Sequence, residues 1–136
     1  MKRRTLQIYQ LLIGLSDAST GLLLVFAPRL TLRLMLLQAP PAALPYLSFI
    51  GAFVFSVGIA CLYGCLLATR PGSNEKLETV WFLTAVSRGS VAVFVTSQIL
   101  SGALEAGWAS VAIADSAFSL FQAIGLYRGW LKNVAA

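Results

Sequence analysis

Three ionisable residues stand inside otherwise apolar stretches, and their types define the chemistry open to this chain: Asp17, Arg88 and Asp115. One guanidinium and two carboxyls can form ion pairs, hold a proton between them, or bind a cation. Arg88 is the only charge between Glu78 and Gly102 in LETVWFLTAVSRGSVAVFVTSQILSG, which covers residues 77–102. About 20 apolar residues at 1.5 Å each cross a bilayer core, so this stretch reads as a transmembrane helix. An arginine near the bilayer centre costs roughly 2.5–3.5 kcal/mol or more and needs a partner or water.

Four such spans position the three residues. The first covers about residues 6–27 and ends at Pro28; Gln10, Gly14, Asp17 and Gly21 fall on one stripe of it. Lys2-Arg3-Arg4 before this stretch resembles the start of a secretory leader, but Ser16 to Thr20 interrupts the apolar core, so a first span is expected instead. The second span, about 46–68, carries no charge and shows a small-residue face of Gly51, Gly58, Cys61 and Cys65. The third covers about 78–101, preceded by a polar turn in which Ser73 or Asn74 is placed to cap it. Trp81, Thr84, Ala85, Ala92 and Val95 share the Arg88 face. The fourth covers about 106–127, antiparallel to the third after a very short turn. Between the first two spans, residues 29–45 are too short and too basic to cross. They read as a short interfacial helix ended by Pro40-Pro41, with an irregular apolar connector as the alternative. The fold class is therefore all-α, a four-transmembrane-helix bundle in one domain over residues 1–136.

Asp17, Arg88 and Asp115 each lie within about two residues of the centre of their span, or about 3 Å in depth. The simplest arrangement has Arg88 bridging both aspartates across the bundle core. One guanidinium neutralises one carboxylate, so the expected state has one ionised and one protonated aspartate, titrating as a coupled set. Gln10, Thr20, Thr84, Ser119 and Gln122 are the supporting polar residues, and Gln10, Gln98, Ser119 and Gln122 are read chiefly as interhelical hydrogen-bonding groups.

Composition narrows the function classes. The chain is 58% hydrophobic and 11% charged, with a mean hydropathy of +0.81, against about 25% charged for a soluble domain. Histidine is absent, and the two cysteines lie four apart in one apolar span, so no metal, haem or other cofactor site is expected. No nucleophile with a nearby base and no phosphate loop is present, and an enzyme is not expected.

Lys2, Arg3, Arg4, Arg70, Lys76, Arg128 and Lys132 fall on one side of the membrane and Arg29 and Arg33 on the other. This bias predicts both termini in the cytoplasm, in keeping with a multi-pass protein of a bacterial inner membrane. Spread over helix ends, the excess of +5 suits anionic lipid headgroups rather than nucleic acid. Tyr9, Tyr63, Trp81, Tyr127 and Trp130 would mark one interface, and Phe26, Tyr46 and Trp108 the other.

In size and helix count the chain resembles small multidrug-resistance exporters, which exchange protons for cations on a carboxylate of their first helix. It departs from them in its midplane arginine, its strong charge bias and the residues around Asp17. Two readings stand. In the first, the charge cluster fixes the packing of an accessory subunit that joins other membrane subunits or its own copies. In the second, Asp17 and Asp115 bind a small cationic or protonatable solute, as in a transporter.

Overall fold

A computed structural model describes residues 1–132. Five α-helices follow in order: α1 (Arg3–Phe26), α2 (Pro28–Leu34), α3 (Leu44–Leu67), α4 (Asn74–Leu100) and α5 (Ala109–Tyr127). Short 3-10 turns at Pro41–Ala43 and Ala106–Trp108 lead into α3 and α5. Four of these helical stretches are long and apolar enough to cross a membrane, and α2 is the short helix between the first two.

The bundle is built from two helix pairs. In the first pair α1 packs on α3 through glycines. A Cβ on Gly58 would stand 2.8 Å from the Ala18 Cα and 2.9 Å from the Gly14 carbonyl oxygen, and one on Gly21 would meet the backbone of Phe55. Such backbone-to-backbone approach is how membrane helices gain dispersion contacts when lipid removes the hydrophobic driving force. In the second pair α4 packs on α5, antiparallel across the turn at Ser101 to Glu105.

The two pairs meet more loosely. Among the described residues, α3 touches α4, while the Cα atoms of α1 stay more than 8 Å from those of α4 and α5. Large side chains fill that space. Tyr9 of α1 meets Trp81 of α4 and Phe121 of α5, with ring centroids 5.6 and 4.9 Å away.

The end bearing most of the basic residues is closed. Leu6, Leu67, Leu77, Trp81 and Leu131 form a fully enclosed cluster there. The Met1 amino group donates to the Trp130 carbonyl (3.3 Å), Arg3 to the Thr69 carbonyl and the Asn74 amide to the Lys132 carbonyl. At the opposite end Leu32, Leu37 and Leu47 pack together with Trp108.

Three expectations need correction. Ser73 stands at the N-cap of α4 but makes no side-chain cap hydrogen bond, and the Asn74 amide donates to the Lys132 carbonyl. The interfacial helix ends at Leu34, well before the prolines, because Leu36 adopts a left-handed φ of 57° and its turn returns the Leu37 amide to the Leu32 carbonyl (2.8 Å). Trp81 is no interfacial belt residue: it is wholly buried, on the same face as Arg88. Tyr63, Tyr127, Phe26 and Tyr46 do face outward.

Because the Gly58 site is bounded by backbone rather than by flexible side-chain tips, Gly58→Val must push α1 and α3 apart. Overpacking of this kind costs about 1–3 kcal/mol. Thermal unfolding in detergent is expected to show a clear loss of stability for Gly58→Val and a much smaller one for a substitution at the exposed Ala52.

Candidate functional site

Helix geometry brings Arg88 to the interior. It lies on the buried stripe of α4 formed by Trp81, Thr84, Ala85, Ala92 and Val95, as expected for that face. Its guanidinium is 6% exposed and splits its two terminal nitrogens between helices. Nη1 donates to Asp115 Oδ1 at 2.9 Å, and Nη2 donates to Asp17 Oδ2. The arginine carbon also lies 5.2 Å from the centre of the Phe118 ring on α5, a cation–π contact made in a low-dielectric setting. The structure thus joins α1, α4 and α5 through one side chain, where the backbones of α1 and α5 do not approach.

The three residues differ in access. Asp17 and Asp115 keep 19% and 17% of their side chains exposed, three times the value for Arg88. Each aspartate gives one oxygen to the guanidinium and keeps its second oxygen outside that pair. With all three groups ionised, one negative charge is left unmatched among buried groups. Coulomb attraction grows as the dielectric falls, so the unmatched charge would attract a small cation.

The supporting polar residues divide. Ser119 Oγ donates to the Ala85 carbonyl at 2.8 Å, and Gln122 Nε2 donates to Thr84 Oγ1 at 2.8 Å. Thr84 in turn donates to the Val80 carbonyl. These bonds tie α5 to α4 on the basic side of the cluster and fix the height at which Asp115 meets Arg88. Gly89 makes room for Ser119, since a Cβ there would be 3.0 Å from its hydroxyl.

Gln10 behaves differently. It is fully buried against Gly64, yet its amide meets no hydrogen-bonding partner among the described residues. Thr20 is half-buried and makes no side-chain hydrogen bond among them. The interhelical bond expected of Gln10 is not formed among the described residues.

One neighbour of the site was not singled out from the sequence. Phe118 lies under Arg88, and its position three residues after Asp115, nearly one turn on, is the signal that could have found it. Cys61 of α3 is buried on the small-residue face of that span. Among the described residues no three histidine, cysteine or acidic side chains are grouped to hold a metal.

Comparison of the chain with protein-family models, with curated proteins and with solved structures returns no match.

Removing one member of a buried ion pair strands the others, at a cost of about 3–5 kcal/mol. Arg88→Ala is therefore expected to be the most damaging single change in the cluster, read as lost yield or a large fall in thermal stability. Replacing Asp17, Arg88 and Asp115 together by leucine is expected to recover much of that loss, because no charge is then left unmatched. Unchanged stability in Arg88→Ala would show that the cluster carries no energy.

Proposed function

We propose that this is a non-enzymatic integral membrane protein that binds a small cationic or protonatable solute at the Asp17–Arg88–Asp115 cluster, as a transporter or binding protein of the bilayer does. The carrying observation is the split guanidinium: two partly accessible carboxylates share one buried arginine, which leaves a site short of one positive charge.

The buried side chains around the cluster differ in size between its two sides. Towards the basic end, Tyr9, Trp81, Phe118 and Phe121 fill the space between α1 and the second helix pair. Beyond the cluster the buried faces of α4 and α5 carry only Ala92, Val95 and Ala112. With seven basic residues at the sealed end against two at the other, the positive-inside rule favours a sealed end in the cytoplasm and a solute arriving from outside.

The accessory-subunit reading rests on the absence of soluble domains and catalytic groups, and small residues of the second span facing outward would have supported it. Gly51, Gly58 and Gly64 are instead buried, Gly51 and Gly58 against the α1 backbone and Gly64 against Gln10. That leaves the solute reading with the better support.

Native mass spectrometry of protein released gently from its own membranes separates the two. A 14.6 kDa chain or a homo-oligomer carrying a bound small molecule is expected, with that molecule lost in Asp17→Asn and Asp115→Asn variants that still fold. Assemblies with other subunits and no small molecule would contradict it.

A further inference from the structure

A second polar feature lies away from the charge cluster, at the end opposite the basic one. Beside α2 lies an open hollow of about 430 Å³, lined by Arg29, Arg33, Gln38, Leu32, Leu37 and Leu44. Arg29 and Arg33 are one turn apart, which sets their Cβ atoms about 5–6 Å from each other. Both are exposed, and among the described residues neither is paired with an acid. Glu105 is the one acidic residue placed at this end.

The backbone beside the hollow is strained. Leu36 is a bulky residue with φ of 57°, a conformation that costs an L-residue free energy and persists only where its surroundings impose it. The result of that turn is specific. It sends Leu37 inward onto Leu32, Leu47 and Trp108, points Leu36 outward with 90% of its surface free, and brings Gln38 to the rim beside the arginines. Leu30 and Leu34 are exposed too. A segment with free leucines on its outer surface and arginines beside them suits the boundary between headgroups and acyl chains.

The geometry points to a phospholipid site: Arg29 and Arg33 hold the phosphate of an anionic phospholipid, and its acyl chains lie against the exposed Leu30, Leu34 and Leu36. Guanidinium forks match phosphate oxygens in geometry and charge. The exposed Leu30, Leu34 and Leu36 select a lipid over inorganic phosphate, which would satisfy the arginines and leave those leucines uncovered. The site is independent of the charge cluster, and its ligand is a component of the bilayer rather than the solute.

Native mass spectrometry of the purified full chain in detergent, titrated with phosphatidylglycerol or phosphatidylcholine, tests this. The first bound phosphatidylglycerol is expected to bind about tenfold or more tightly than phosphatidylcholine, from roughly 1 kcal/mol per arginine at a membrane surface. Arg29→Gln with Arg33→Gln is expected to remove that preference, while Lys2→Gln with Arg4→Gln, at the other end, leaves it in place. Should the double Arg29/Arg33 variant not fold, Arg33→Gln alone is read in the same titration, and a reduced preference supports the site. A preference that survives loss of the arginines overturns the proposal. So does displacement of the bound lipid by millimolar inorganic phosphate, which would make this a free-phosphate site.

Discussion

An arginine in the middle of a bilayer cannot be left to lipid, and the arrangement of this protein follows from how Arg88 is accommodated. Its two terminal nitrogens reach carboxylates on two different helices, and an aromatic ring lies against its flat face. The desolvation cost of a buried guanidinium is several kcal/mol, offset only when geometry and hydrogen bonding are good. Here that demand fixes three helices in depth and rotation at once. Asp115 can meet Arg88 only if α5 stands at one height against α4, and the Ser119 and Gln122 bonds hold it at that height. Asp17 can meet it only if α1 faces inward, and the glycine contacts with α3 set that rotation.

The same interaction accounts for the uneven packing. The α1–α3 pair is held backbone to backbone, and the α4–α5 pair by hydrogen bonds and a short turn. Between the pairs the helices remain apart, spanned by long side chains: Arg88 at mid-depth and Tyr9, Trp81, Phe118 and Phe121 towards the basic end. Asp17 and Asp115 each keep part of their side chain exposed, and the proposed solute site rests on that.

Much of this was legible in the sequence because membrane solvation limits the choices. Long apolar runs have to be helices, and charges inside them have to face one another, so the spans and the Asp17–Arg88–Asp115 grouping could be read from residue type and depth alone. The buried face of α4 was readable from its 3.6-residue period. What escaped depended on tertiary detail that no period encodes. Trp81 looks like a belt residue from its place near a helix end, yet it is enclosed because Leu6, Leu131 and Tyr9 close over it. Leu36 in a left-handed turn contradicts local preference, and only its surroundings explain it. Gln10 reads as a hydrogen-bonding residue, but the close approach of Gly64 leaves its amide facing no protein partner among the described residues.

The central claim is that one guanidinium pairs with two carboxylates inside the membrane, and it is most directly tested by dipolar recoupling in solid-state NMR. Protein with 15N-labelled arginine and 13C-labelled aspartate side chains, reconstituted in lipid bilayers, places every coupled pair within a few ångströms. Arg88 is expected to dephase two distinct carboxyl carbons, one vanishing in Asp17→Asn with unlabelled asparagine and the other in Asp115→Asn. Coupling of Arg88 to one carboxyl, or to none, would contradict the bridged cluster and with it the geometry on which the proposed site rests.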